Sequence, residues 1–72
     1  MKMTLFISPS DKPGIRLAHY VLSNDEVSDE RLVEVLTSNW TIDSAQLQRS
    51  GVFQWPGRLV DSAITIKTVH FE

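Results

Sequence analysis

Three segments of this chain have the residue pattern of β-strands with apolar side chains on both faces, yet the sequence between them contains helix enough to cover only one face. The strand-like segments are 2–8, 15–22 and about 59–71, and the helical region lies within 29–50. Since side chains alternate between the two faces of a strand, the pattern predicts a sheet with one partly apolar face left uncovered. Exposed apolar surface of this kind usually contacts a partner.

The composition is that of a small globular domain. The chain has 72 residues, of which 42% are hydrophobic and 22% charged, so we expect one domain over 1–72. A chain of this length buries only about 60% of the surface that its unfolded form exposes, which predicts marginal stability. The sequence contains no cysteine, so neither disulfides nor thiolate metal sites can add stability. Self-association is the natural substitute.

The charge and hydropathy of the sequence indicate the cellular location of the protein and the kinds of partner that it can bind. Residues 1–8 carry one lysine and an apolar run that Pro9 cuts short, and no stretch approaches the ~18 apolar residues of a membrane span. We therefore expect a cytoplasmic protein that does not bind membranes. The net charge of −2 gives no overall attraction to nucleic acid. Five acidic side chains fall within residues 23–38, which suits a helix N-terminus or a patch for a basic partner.

The first two strands are predicted to form an antiparallel hairpin. They span Lys2 to Ser8 and Ile15 to Leu22, and the second has apolar residues at both parities. Pro13 and Gly14 suit the central positions of a type II turn, because proline presets φ and glycine accepts a positive φ. A helix over 15–22 is the alternative.

A first helix is predicted from about Asp29 to Ser38. Ser28 has the side chain of an N-cap, and Val27 is placed to pack on Leu32 as a hydrophobic staple. Asn39 is expected to end the helix in the left-handed conformation.

A second, shorter helix is predicted near Ser44 to Ser50. Asp43 and Gln46 form a pair like a capping box, and Gly51 reads as the residue just past the helix end. With a last strand from about Leu59 to Phe71, the element order becomes ββααβ. The predicted fold is thus an α+β domain with a three-stranded antiparallel sheet and two short helices packed on one face.

The two-residue period assigns side chains to the two faces of this sheet. The helix-covered face is expected to hold Met3, Leu5, Ile7, Ile15, Leu17, Val21, Ile64 and Ile66. The uncovered face is expected to hold Phe6, Tyr20, Leu22, Val69 and Phe71, with Thr4, Arg16, Thr65 and Lys67 among them. Three aromatic rings on one uncovered face predict a protein partner or a homodimer.

Two other interpretations of this face remain open. In one, Trp40, Phe53 and Trp55 fold over it and complete an ordinary core. In the other, the three rings stack single-stranded bases while Arg16 and Lys67 contact phosphates, although the chain carries little positive charge for that role.

Residues 28–51 also fit a helix-turn-helix. The predicted second helix would expose Gln46, Gln48 and Arg49 to base edges, and Arg58 in the turn Trp55-Pro56-Gly57-Arg58 would contact phosphate. This alternative makes the chain a DNA-binding transcriptional regulator. The acidic first helix argues against it, since phosphate neutralisation supplies most of the affinity for DNA.

No pattern in the sequence favours catalysis or a bound cofactor. His19 and His70 are the only histidines, and neither has a second ligand at metal-binding spacing. No serine lies in the glycine-flanked context of a nucleophile elbow. We therefore expect no catalytic residues, no metal and no cofactor. The sequence is best interpreted as a small non-catalytic regulator or inhibitor that binds a protein, or itself, through the aromatic sheet face.

Overall fold

A computed structural model describes residues 1–39, 42–57, 59 and 64–71 of the chain, with the backbone alone at Phe71. Its elements are β1 (Lys2–Pro9), β2 (Arg16–Ser23), α1 (Asp29–Asn39), a 3₁₀ turn (Ser44–Gln46), β3 (Gln48–Gln54) and β4 (Ile64–Phe71). The four strands form one antiparallel sheet in the order β3-β1-β2-β4. The predicted three-stranded sheet with two helices is therefore wrong, because the described residues contain four strands and one α-helix.

The hairpin of β1 and β2 forms as the turn residues predict. Lys2 pairs with Ser23 at one end and Pro9 with Arg16 at the other. The N–H of Ile15 donates to the carbonyl of Lys12 (3.2 Å), and Gly14 has φ +79°, as position i+2 of a type II turn requires. The alternative helix over 15–22 is not formed.

Helix α1 begins where the sequence predicts. The Ser28 side chain accepts a hydrogen bond from the N–H of Arg31 (3.3 Å), which confirms the N-cap. Leu32 and Leu36 are fully buried, one turn apart on the face that packs on the sheet. The helix end differs from the prediction: Asn39 stays helical with negative φ, and its amide donates to the carbonyl of Val35 (2.8 Å).

The predicted second helix is mostly strand β3. Asp43 does act as a cap, accepting from the N–H of Ala45 (3.0 Å), but the helical conformation ends at Gln46. From Gln48 to Gln54 the chain pairs with the outer edge of β1. A seven-residue helix from Ser44 to Ser50 has little intrinsic stability, whereas pairing with β1 satisfies the backbone of residues 48–54.

The core lies between α1 and one face of the sheet. It consists of Phe6, Val21, Leu32 and Leu36, with Val27, Val33, Leu47, Ile64 and Ile66 packed around them. Phe6 is 3% exposed, so its predicted place on the uncovered face is wrong. The register explains this: Phe6 lies opposite His19, and Thr4 opposite Val21, so the even-numbered residues of β1 face α1.

The register corrects one part of the predicted face assignment and confirms another. Met3, Leu5 and Ile7 lie on the uncovered side, not the covered one, and Thr4 is covered. Val21, Ile64 and Ile66 do face the helix as predicted. Trp40, Arg58 and residues 60–63 of the predicted last strand lie outside the described residues.

Candidate protein-binding face

The side of the sheet opposite α1 is called the open face here. Its residues, read from the strand register, are Met3, Leu5 and Ile7 of β1, Arg16, Ala18, Tyr20 and Leu22 of β2, Gln48, Gly51 and Phe53 of β3, and Thr65, Lys67 and Val69 of β4. The helix α1 and Leu47, which follows the 3₁₀ turn, both pack on the other side. Neither helical segment of the described residues therefore covers the open face.

The two central strands are more apolar on the open face than on the covered one. Their open face carries Met3, Leu5, Ile7, Ala18, Tyr20 and Leu22, with Pro9 and Arg16 at the hairpin end. Their covered face carries Lys2, Thr4, Ser8, His19 and Ser23 beside Phe6, Leu17 and Val21. In a one-sided antiparallel sheet the solvent side is usually the polar one. The two central strands have the reverse distribution, which is typical of a surface that another layer covers.

The ring of Phe53 lies over Gly51 on the edge strand β3. A Cβ added at Gly51 would be 3.2 Å from Cε2 of that ring, so the absence of a side chain there leaves room for the ring. Phe53 is nevertheless 51% exposed and Trp55 46%. These two rings therefore do not complete a second core over the open face, and Trp40 lies outside the described residues.

Four residues form one row straight across the open face. Lys67 pairs with Tyr20, Tyr20 with Leu5 and Leu5 with Gly51. Tyr20 is 36% exposed at the centre of the row. The charged side chains that the open face carries among the described residues are Arg16 and Lys67, and no carboxylate shares it. The face is thus an apolar surface with positive charge on its β2–β4 half.

Five of the seven predicted contact residues are brought together here. Arg16, Tyr20, Leu22, Lys67 and Val69 share the open face. Phe6 does not, since it is in the core. The backbone of Phe71 lies at an open-face position of β4, opposite Arg16. The structure describes no side chain for Phe71.

Sequence reasoning missed several residues of this face. Met3, Leu5 and Ile7 are predicted on the covered side but lie on the open face, and Phe53 lies in β3, outside every predicted strand. A signal for Phe53 did exist, because Val52 and Phe53 are both strand-forming residues. For β1 no such signal was available, since both of its faces carry large apolar residues.

The residues of the DNA-binding alternative do not lie on one helix. Gln46 ends the 3₁₀ turn, while Gln48 and Arg49 are in β3. The Arg49 guanidinium donates to the Asp29 carboxylate (2.6 Å), which also accepts from Lys2 Nζ (3.3 Å). Arg49 therefore ties β3 to the start of α1. Among the described residues there is no second α-helix to complete a helix-turn-helix, and Arg58 is outside them.

A buried polar cluster lies under the helix. His19 Nε2 is 2.8 Å from Ser8 Oγ, and His19 Nδ1 is 2.9 Å from Thr68 Oγ1. Burial lowers the pKa of His19 from its usual 6.5, because desolvation disfavours the imidazolium. A serine bonded to a histidine suggests a nucleophile and its base. Here Ser8 is 1% exposed and His19 fully buried, so no substrate reaches them.

The described residues offer no other site with a clear chemistry. They contain no group of three or more His, Cys, Asp or Glu side chains that could hold a metal ion. No helix within the described ranges is long and apolar enough to cross a membrane. A shallow cleft of about 280 Å³ is lined by Met1, Asn24, Asp25, Glu26 and Gly57. Its lining is polar, and the amino group of Met1 lies 3.5 Å from the Asp25 carboxylate.

Comparisons of the chain with protein-family models, with curated proteins and with solved structures find no match. The fold and the open face therefore define only a class: a small α+β domain with a four-stranded antiparallel sheet, one side of which is largely apolar on its central strands and carries no helix over the residues that the structure describes.

Proposed function

We propose that this chain is a small non-catalytic domain that binds a protein through the open face of its sheet. The observation that carries the proposal is the reversed polarity of the central strands, whose uncovered side is more apolar than the side beneath α1. Exposure of such an apolar surface to water is unfavourable. Contact with the apolar surface of another protein removes the open face from solvent and lowers the free energy.

The free energies of side-chain burial and of folding favour binding to a partner. Burying a Leu- or Phe-sized side chain contributes about 1.5–3 kcal/mol, and a small domain is stable by only about 5 kcal/mol. Tyr20 is 36% exposed and Phe53 51%, so burying the remaining surface of these two rings against a partner contributes roughly a third to a half of that side-chain burial value each. Leu5 is less exposed and adds less. The core formed by the described residues is small, so the chain gains stability as well as function from such binding.

The proposed mode of action is occupation of a partner's surface. The Ser8 and His19 side chains are enclosed, and the described residues of the open face include no cluster of acid, base or nucleophile. A domain with these properties acts as a regulator or inhibitor by covering part of its partner. That role is an analogy with the size of the domain, not a consequence of the fold.

Site-specific photo-cross-linking in the cells that produce the chain tests the proposal. A photoreactive phenylalanine analogue replaces Tyr20 at the centre of the open face, and, as the matched control, Glu34 on the exposed side of α1. The expected result is a protein adduct from position 20 and none from position 34. Absence of any adduct at position 20, in a variant with the circular dichroism spectrum of the native chain, overturns the proposal.

A further inference from the structure

We infer that the protein that covers the open face is a second copy of this chain, packed sheet to sheet about a two-fold axis that runs parallel to the strands between β1 and β2. This inference rests on the proposed function, because it names the partner of the same face.

The area of the face suits a dimer. Four strands spaced about 4.8 Å apart span about 19 Å, and eight residues rising about 3.3 Å each span about 26 Å, the length of β1, β2 and β4. The flat area is about 500 Å², and two such faces bury together about 1,000 Å², the size at which a specific interface becomes stable. Side chains that project from the sheet add to that area.

The positions of the charged residues on the open face favour a two-fold axis parallel to the strands. Lys67 and Arg16 both lie on its β2–β4 half, and Lys67 forms no ion pair with a described residue. An axis perpendicular to the strands would stack β4 on β4 and bring the two Lys67 side chains together in a water-poor interface, which is unfavourable. An axis parallel to the strands stacks β4 on β3 of the second copy, whose open-face residues are uncharged.

The shapes of the facing residues also fit this axis. It preserves the position along the strands, so each cross-strand row of one copy lies over the same row of the other. Ala18 shares a row with Ile7, and the axis sets the small residue of each copy over the large residue of the other. Lys67 shares a row with Gly51, where the Phe53 ring of the second copy offers its face to the ammonium group.

Oligomeric state is the first test. Sedimentation equilibrium of the full chain in the micromolar range is expected to give twice the 8.2-kDa mass of the chain. Leu5→Gln with Tyr20→Ser should lower the association constant at least a hundredfold. The matched control is Val52→Gln, which removes a side chain 42% exposed on the other side of the edge strand β3, and it should associate as the wild type does. A wild-type monomer throughout this range overturns the inference.

Cross-linking tests the axis, and the cysteine-free sequence makes single-cysteine variants clean probes. Val69→Cys mixed with Gln48→Cys should give a heterodimer with a short bismaleimide, because Val69 and Gln48 share one cross-strand row and the axis sets each over the other. Efficient coupling of Lys67→Cys to itself overturns the proposed axis.

The photo-cross-link at position 20 separates this inference from the proposed function. An adduct of twice the chain mass supports both. An adduct of another mass from a chain that stays monomeric overturns the second copy and leaves the binding function standing. A monomer with no adduct overturns both.

Discussion

Ser8 and His19 form a buried hydrogen bond across the two central strands, with Ser8 Oγ 2.8 Å from His19 Nε2. The other ring nitrogen lies 2.9 Å from the hydroxyl of Thr68 in β4, so the imidazole links three neighbouring strands. A neutral imidazole has one donor and one acceptor nitrogen, and either hydroxyl can take either role. The neutral form is therefore satisfied by these two hydroxyls in both tautomers.

The stability of the fold should decrease as this histidine becomes protonated. Burial lowers the pKa of His19 below its usual 6.5, so between the folded and unfolded pKa values the unfolded chain binds more protons. Stability contributed by the neutral ring is thus complete above the unfolded pKa and is lost as pH falls toward the folded one, with a slope of at most about 1.4 kcal/mol per pH unit.

Urea unfolding between about pH 7.5 and about pH 5.5, a window that brackets the unfolded histidine pKa, measures this effect. His19→Gln should lower stability at the upper pH and flatten the dependence on pH. His70→Gln, which changes an exposed histidine of β4, should keep the slope of the wild type. A slope that survives in His19→Gln would assign the pH dependence to another group.

Thr4 and Thr68 lie on the same covered face but should respond to substitution in opposite directions. The Thr4 hydroxyl is buried with no hydrogen-bond partner among the residues that the structure describes, and a buried unsatisfied polar group costs about 1–3 kcal/mol. Thr4→Val keeps the shape and removes the hydroxyl, so it should stabilise the fold by about 1 kcal/mol. Thr68→Val leaves the Nδ1 of His19 without this hydroxyl and should destabilise it by about 1–3 kcal/mol.

The midpoints of urea unfolding at neutral pH compare the two variants directly. Two changes of the same sign and size would mean that the polarity of the covered face has no specific role, and that only the β-propensity gained from valine is measured.

Signals local to a few residues predicted their part of the fold correctly. Pro13 and Gly14 form the expected turn, and Ser28 caps α1, because turn and cap geometry depends on neighbouring residues alone. The conformation of residues 47–51 instead depends on a distant partner. The cap at Asp43 is real, yet the free edge of β1 draws the following residues into β3, a tertiary effect that no local pattern contains.

The open face could be predicted as a property of the sheet but not residue by residue. The shortage of helix predicts an uncovered apolar side, and among the residues that the structure describes no helical segment lies on the open face. Which parity of β1 would face α1 was beyond the sequence, since Phe6 on one side and Leu5 on the other are similar in hydrophobicity. The hairpin register, which sets Phe6 opposite His19, decides it.

Asp29 joins three elements, and its charge should contribute measurably to the docking of α1. Its carboxylate accepts from Lys2 Nζ (3.3 Å) in β1 and from the Arg49 guanidinium (2.6 Å) in β3, and as the first residue of α1 it faces the positive end of the helix dipole. Its side chain is 40% exposed, so solvent weakens both ion pairs. Asp29→Asn should cost about 1 kcal/mol at low ionic strength and less at high salt.

Glu30→Gln is the matched control, since Glu30 is in the same helical turn and is exposed. It should cost less than Asp29→Asn when both are unfolded with urea, which is uncharged and leaves the ionic strength unchanged. Equal losses would assign the whole effect to the helix dipole and none to the two ion pairs.

Gly14 and Gly51 should tolerate substitution by alanine very differently. Gly14 lies in the turn before β2, and Gly51 lies within β3. Gly14 has φ +79° with open space around its Cα, so Gly14→Ala costs about 1 kcal/mol or more through backbone strain alone. Gly51 has no such φ, and its added Cβ would meet only the half-exposed ring of Phe53 at 3.2 Å. That ring can move, and alanine suits a strand better than glycine by roughly 0.5–1 kcal/mol.

Thermal or urea unfolding of Gly51→Ala should therefore show a stability within about 0.5 kcal/mol of the wild type or slightly above it, measured at a concentration where the chain is monomeric. Its association should nevertheless weaken, because the displaced ring of Phe53 no longer lies flat where the Lys67 side chain of a second copy would pack. Gly14→Ala, at the far end of the hairpin, should lose stability and keep its association constant once folded. The reverse assignment of the two effects would show that the Phe53 ring has no part in the interface.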